Sequence, residues 1–500
     1  MRYSVVLAAL SALAARLVTG PHPIDDAYIT FRYARNLAEG FGLVYNQGEW
    51  VLGTTAPLWA IVLSAGYRLG FTDLPWLATL VSALCDAGSA VILVMLARRM
   101  GWHPLGAALV GIAWAVSPMS VAFATGGMET SLFVLLALSA LSLAAGGRHL
   151  VLAAALAGVA TFVRPEGGGL VAATVVAWIF LRWRGQTPKA IAAAAIPMAI
   201  GGVAIFLRYG SPLPNSVAAK QVAYLHAWPL ENAFALLVQA GLPGWSTYIL
   251  GVLPPAIGLL GALLGLLALI ELARRGLPWL SQRGVAWQPF AVFAMLYVGF
   301  YVVVGLRGVR LFPWYLVPIE PFYLLAAAAG LARLARALQH GSFAGAASAL
   351  ATVLVVWQLP AIDWRQPLMP AGEDFAREQL YLDVGRQLAA SLPANAVIAA
   401  PEIGALGYAS NLPVLDTVGL ISPAAIPYYP LPADQFVTDN AIPPRLIADR
   451  QPDAVVTMDA FAERSLLPDP AFQRDYRLEA TYTAPVWQSR QLLLFRRVDR

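Results

Sequence analysis

Apolar stretches of roughly 20 residues recur from position 3 to position 359 with only short polar breaks between them, and a hydrocarbon core about 30 Å thick takes about 20 such residues per helical crossing. A backbone inside lipid must satisfy its own hydrogen bonds, so segments of this length can only be helices. With 59% hydrophobic and 12% charged residues, the chain is far from the composition of a soluble domain. The fold class is therefore a polytopic α-helical membrane protein, with a bundle over 1–360. Residues 361–500 contain more Asp, Glu, Pro and strand-like runs and no spanning segment, and read as one soluble α/β domain. The first helix, 3–18, follows Arg2 and is not followed by a small-residue cleavage site, so it is expected to be an uncleaved anchor and not a signal peptide. Cys85 is the only cysteine and lies in an apolar run, which excludes a disulfide within the chain and offers no thiolate metal site.

The formal charge of +5 does not indicate nucleic acid, because the basic residues mark alternate loops. Arg98 with Arg99, Arg148, Arg182 with Arg184 and Lys189, Arg274 with Arg275 and Arg283, and Arg333 with Arg336 follow the positive-inside rule. The breaks at 126–130, 164–168, 209–245 and 306–310 then face outward, together with the tail and the loop 21–55. Parity requires that one of the apolar segments 56–70 and 76–97 does not cross. The first is short and begins with Pro57, so it is read as juxtamembrane or re-entrant, which leaves about eleven crossings, with thirteen as the alternative.

Several cations break the rule that assigns the others. Arg164, Arg208, Lys220, Arg307 and Arg310 fall on the outer side, and Lys220 is one of two lysines against 31 arginines. A compact ammonium suits a phosphate held as a point charge, and outer-face cations beside the bilayer suit an anionic lipid headgroup such as a polyprenyl phosphate. The plain alternative is that these side chains snorkel to the interface.

The segment 25–41, DDAYITFRYARNLAEGF, opens with two adjacent acids just outside the first crossing. It reads as a short helix whose first-turn aspartates are favoured by the helix dipole and which stops at Gly40. Tyr28, Arg32, Arg35 and Glu39 share one face and Ile29, Tyr33 and Leu37 another, so the helix is expected to lie flat on the membrane with its acidic end towards a cavity. One aspartate serves as an ordinary cap; a pair beside a bilayer suggests a general base or oxygen ligands for Mg²⁺ or Mn²⁺. Asp25, Asp26 and Glu129 are the candidate metal ligands. His22 lacks an H-x-x-x-H partner, so zinc is not expected.

The run 25–59, together with GMET at 127–130, VRPEG at 163–167, YGSPLPNSVAAK at 209–220 and PEIGALGYASNLPVLDTVGL at 401–420, resembles the GT-C superfamily of membrane glycosyltransferases. The resemblance is to a bacterial subgroup related to mycobacterial terminal arabinofuranosyltransferases and, more distantly, to protein mannosyltransferases. It implies transfer of a sugar from a polyprenyl-phosphate donor to an extracytoplasmic acceptor hydroxyl on a cell-envelope glycan, glycolipid or protein, by a single inverting displacement. It also implies a multi-pass protein of the bacterial inner membrane with its site outside. Asp25 or Asp26 would be the base, and Lys220, Arg307 and Arg310 would bind the donor phosphate. No protein nucleophile is needed, and no G-x-S-x-G motif or catalytic-cysteine signature is present.

Tyr28, Arg32, Glu129, Arg164, Glu166, Asn215 and Glu402 complete the candidate site as substrate-binding or supporting residues. Glu129 either binds a sugar hydroxyl or an ion, or caps the helix beginning at Thr130. Arg164 and Glu166 are expected to pair and brace the site, with Pro165 fixing the turn. Asn215 orients Lys220, binds the acceptor or simply occupies a turn. Trp50, Trp59, Trp245 and Trp314 either belong to the aromatic belt or stack on sugar or isoprenoid. In the tail a helix over 373–391 and strands at 396–400, 453–458 and 490–495 are expected, with no dinucleotide fingerprint. Simple packing on the bundle is the plain role of this domain, and an acceptor-binding or lid role through Glu402 or Asp416 the alternative. A lipid-linked-sugar transporter or flippase would need charges along a route through the bundle, and the helix interiors read as nearly charge-free. A non-catalytic scaffold would tolerate substitution of the acidic loop.

Overall fold

The computed structural model describes residues 2–146, 149–180, 187–223, 287–309, 311–337, 377–438, 440–486 and 488–498. The N-terminal anchor segment forms α1 (Arg2–Thr19). The acidic segment is α2 (Asp25–Ala38), and Gly40 turns the chain away from it at φ +93°. The segment whose parity was in question is α3 (Pro57–Arg68), 12 residues long, about 18 Å at 1.5 Å per residue, too short to cross. It is followed by α4 (Leu74–Arg99), which is capped by Asp73 through the Trp76 N–H at 3.0 Å.

Next come α5 (Pro104–Ala115) and α6 (Pro118–Thr125), an apolar helix pair bent by 47° where Pro118 cannot continue the hydrogen-bond ladder. Then follow α7 (Thr130–Gly146), α8 (Leu150–Ala160), α9 (Gly167–Phe180), α10 (Thr187–Tyr209) and α11 (Asn215–Ala223). Past the next break are α12 (Gln288–Leu306) and α13 (Glu320–Ala337). Among the described residues four helices are long and apolar enough to cross a membrane, five if the bent pair is one span. The count of eleven or thirteen, the domain boundary at 360/361, Trp245, Arg310 and the loop cations Arg274, Arg275 and Arg283 rest on positions outside the described residues.

The C-terminal part, expected to be the soluble domain, contains a five-stranded sheet in the order β2-β1-β3-β5-β4. Helix α14 (Arg377–Ser391) leads to β1 (Ile398–Ala400), α15 (Gly404–Ser410), β2 (Val414–Asp416), β3 (Ala454–Met458) and the hairpin β4 (Tyr476–Val486) and β5 (Ser489–Arg497). β1 pairs in parallel with β2 and β3, Ile398 facing Val414 and Ala454, and β5 runs antiparallel to β3 and β4. The fully buried β1, β2 and β3 are apolar runs of the kind a sheet covered on both faces requires. β2 and β4 were not anticipated from sequence: β2 is three residues long, and β4 alternates around polar residues.

The expectation that α2 lies flat on the membrane is overturned. Both of its faces are buried, because it is sandwiched between the helical bundle and the soluble domain. On the bundle side Gly127 presses so closely on it that a Cβ there would stand 2.7 Å from Phe31 Cζ and 3.0 Å from Ala27 Cβ. On the other side Arg32, 1% exposed, donates to Tyr45 O at 2.9 Å, Gly407 O at 2.7 Å and Leu412 O at 2.8 Å. Tyr45 donates to Ile403 O, Asn46 exchanges two hydrogen bonds with Val414, and Arg35 binds Asn411. The two motif-bearing segments, 25–46 and 403–420, are therefore the two sides of one interface.

Candidate functional site

The adjacent aspartates have different environments. Asp25 is buried, and its carboxylate accepts from the Gly404 and Ala405 N–H groups at 3.0 and 2.8 Å. It caps α15 of the soluble domain, not its own helix, whose N-cap is Ile24. Burial, reinforced by Glu402, raises its pKa to about 7. Asp26 is half-buried and has no hydrogen-bond or ion-pair partner among the described residues. Its charge acts on Glu129, Tyr315, Glu402 and Asp25, so it stands between two buried clusters.

The first cluster centres on Arg164, which pairs with Glu129 at 3.0 Å and Glu166 at 2.9 Å. Tyr301 donates to Glu166, and the ring of Tyr315 lies 4.7 Å from that of Tyr301 and 5.7 Å from the Arg164 guanidinium. Burial lifts the Glu129 carboxyl above its ordinary pKa against the pull of Arg164. The second cluster comes from the soluble domain. Arg377 pairs with Glu402 at 2.5 Å and with Glu378, and Tyr381 donates to Glu402 at 2.6 Å. Burial also raises the Glu402 pKa.

Lys220 is half-buried on α11, its Nζ 5.4 Å from the centre of the Phe312 ring. Among the described residues it makes no hydrogen bond and no ion pair, so an ammonium held by an aromatic face keeps its donors for another ligand. Phe312 stacks on Trp314 at 4.5 Å, and Trp314 meets Tyr315 at 5.7 Å. This aromatic strip joins Lys220 to the Arg164 cluster and thus to Asp26. Arg307 ends α12 with its side chain exposed and, among the described contacts, joins neither group. Arg310 lies outside the described residues.

Several residues turn out to support the fold around the site. Asn215 neither sits in a turn nor contacts Lys220. It begins α11, its N–H on Leu52 O at 2.7 Å and its side chain on Gly419 O at 2.6 Å, so the soluble domain sets the position of the helix that carries Lys220. Tyr28 packs between Phe31 and Tyr408. Trp59 is buried and donates to Gly127 O at 3.0 Å, so it is neither a belt residue nor a stacking platform, whereas Trp50 carries Arg208 over its ring. Asp416 does not reach the membrane side: it is fully buried and accepts from the Val418 and Ile421 N–H groups. Asp25, Asp26 and Glu129 are not assembled as a ligand set, and no group of three His, Cys, Asp or Glu side chains among the described residues is arranged to hold a metal.

The helix interiors are also not charge-free. Arg16 of α1 pairs with Asp86 of α4 at 2.9 Å, both fully buried, and Glu320 lies in their field. Asp86 is the one acid in the 26-residue α4, and an intramembrane acid is itself a signal that sequence reading can use. Tyr301, Tyr315, Arg377 and Tyr381 carried no such signal, since only tertiary contact gives them a role.

A family model described as a domain of unknown function (DUF8728) matches residues 372–495. No curated protein matches the chain. Among solved structures, the chain has the fold of ArnT from Cupriavidus metallidurans at 15% identity, with 98% of this chain and 97% of that chain covered. The TM-score is 0.59 for the apo state and 0.56 for the structure bound to undecaprenyl phosphate. Arabinofuranosyltransferase AftD from Mycobacteria matches at 13% identity and a TM-score of 0.47, over 99% of this chain and 41% of that one. Over nearly its whole length the chain thus shares its fold with ArnT.

Proposed function

We propose that this protein is a membrane glycosyltransferase that moves a sugar from a polyprenyl-phosphate donor to an acceptor hydroxyl outside the bacterial inner membrane, with Asp26 as the base. The observation that carries the reading is the pairing state of the charged groups. Among the described residues Asp26 is the acid between two ion-paired clusters that keeps its oxygens unbonded, and Lys220 is a cation without an anion, one aromatic strip away. The shared fold with a protein whose structure is described as bound to undecaprenyl phosphate supports it.

In the proposed step the acceptor oxygen attacks the anomeric carbon while its proton passes to Asp26. The bond from that carbon to the phosphate oxygen breaks, and its electron pair leaves with the lipid phosphate. Lys220, with Arg307 and Arg310 as further cations, takes up the charge that develops there. Inversion follows from a single displacement. Glu129 and Glu402, each held by an arginine, are placed to orient hydroxyl groups, and Asp25 fixes the soluble domain that carries Glu402. Arabinofuranose, the sugar implied by the motif resemblance, is the donor to test first. A flippase would need mobile charges through the bundle, and Arg16 and Asp86 are instead bound on several sides.

The test is transfer of labelled sugar from synthetic polyprenyl-phosphate arabinofuranose, and from a panel of other polyprenyl-phosphate sugars, to envelope glycans and glycolipids. Asp26→Asn is expected to lower kcat by about 10²–10⁴-fold, the range for loss of a general base, in protein that still inserts. Full activity of Asp26→Asn rejects the assignment, and the absence of transfer from every donor rejects the reaction.

A further inference from the structure

We propose that Arg16 and Asp86, the ion pair inside the helical bundle, are positioning residues that hold the acidic end of α2 against the Glu129 loop; the inference deepens the transferase reading of that site and rests on it. Both side chains are fully buried. Asp86 accepts from Arg16 Nε at 2.9 Å and from Ser131 Oγ at 2.9 Å. The other guanidinium nitrogens of Arg16 donate to Ala115 O, a carbonyl released at the bend between α5 and α6, and to Ser120 Oγ. One node therefore grips the segment 118–131 near both ends, at Ser120 and Ser131.

The middle of that segment is the seat of the acids. Thr125 O accepts from His22 N–H at 2.9 Å and Gly126 O from Ile24 N–H at 3.1 Å, which fixes the two residues flanking Pro23 just ahead of Asp25 and Asp26. Gly127 O accepts from Trp59 Nε1 at 3.0 Å, and the Gly127 backbone lies directly under Ala27 and Phe31 of α2. Two residues on, Glu129 meets Arg164. A shift of this segment moves Asp26 and Glu129 at once. A buried ion pair is a weak device for stability alone, because a well-packed apolar pair of similar volume does as well; gripping a bent span at two points needs directed donors and acceptors.

The discriminating variant is Arg16→Met with Asp86→Leu, which removes the node without leaving an unpaired charge, with Asp86→Asn beside it. Each protein is placed in lipid nanodiscs, and two properties are measured. These are hydrogen exchange at the His22 and Ile24 amides, and the kinetics of transfer from polyprenyl-phosphate arabinofuranose or whichever panel donor the native protein uses. The double variant is expected to insert, to exchange those amides at least tenfold faster, and to lose about 10–100-fold in kcat. KM for the donor should stay within about twofold, since Lys220 is held by other contacts. Asp86→Asn, which keeps an acceptor for Arg16, should recover part of kcat. Unchanged exchange with unchanged kcat in the inserted double variant overturns the proposal, as does faster exchange spread evenly into β3 and β5. If the double variant fails to insert, Asp86→Asn is read by the same criteria. If native protein transfers no sugar, the transferase reading fails by itself, and the exchange at His22 and Ile24 still decides whether the node holds α2.

Discussion

Replacing Arg32 by Met tests whether the soluble domain is held to the bundle by hydrogen bonds through α2. Arg32 gives three hydrogen bonds, one to its own loop and two across the interface to Gly407 O and Leu412 O, and lies 4.3 Å over the Tyr45 ring. Hydrogen bonds from a charged donor contribute about 1.5–3 kcal/mol each. The low end applies, because burial depresses the Arg32 pKa and removing the cation relieves that desolvation. The two bonds that cross the interface, at about 1.5 kcal/mol each, give about 3 kcal/mol against docking, roughly a 10²-fold rise in the open population at 1.4 kcal/mol per decade. Hydrogen exchange reads this directly. The Gly404, Ala405 and Val414 amides, bonded across the interface to Asp25 and Asn46, should exchange about 10²-fold faster. The amides of β3 and β5, bonded within the sheet, should keep their native rates. Unchanged exchange at the first group, or an equal rise in both, would refute the hydrogen-bonded interface between α2 and the segment 403–420.

Docking should also depend on pH through Asp25. Its carboxyl sits at about 7 in the folded protein against an ordinary 3.8, raised by burial, so the folded state binds its proton more tightly. The stabilising contribution is complete below about 4 and is lost as pH rises through about 7. Protection of Gly404 and Ala405, corrected for intrinsic exchange, should therefore be greater at pH 5 than at pH 8 and should lose that dependence in Asp25→Asn; an Asp25→Asn protein with the native pH profile would contradict it. Gly127→Ala combines a φ of +80° with a Cβ 2.7 Å from Phe31 Cζ, a strain of about 1–3 kcal/mol before any displacement of α2. Transfer should fall at least tenfold at normal expression, while Gly202→Ala, where nothing lies within 4 Å, stays native; equal activity of the two variants would show that α2 does not rest on Gly127.

Local pattern in the chain was sufficient for the membrane class, for α1 and α4, for a short α3 of 12 residues, and for the main strands β1, β3 and β5. Length, apolar continuity and the Pro and Gly positions act within a few residues, so one sequence carries them. The same locality explains what was misread. The amphipathic spacing of α2 is real, but its polar face meets Gly407 and Leu412 instead of water, because a helix periodicity says which residues share a face and not what covers it. The two aspartates are neighbours in sequence with identical chemistry. Only the fold, by bringing Gly404 and Ala405 onto Asp25 from 379 and 380 residues away, ties up one carboxylate and leaves Asp26 unbonded among the described residues. Likewise Asp86 is legible as an acid in an apolar helix, but its partners Arg16 and Ser131 come from α1 and α7. Hydrophobic length is a property of the chain; which charges are neutralised is a property of distances between remote segments, and those exist only once it has folded.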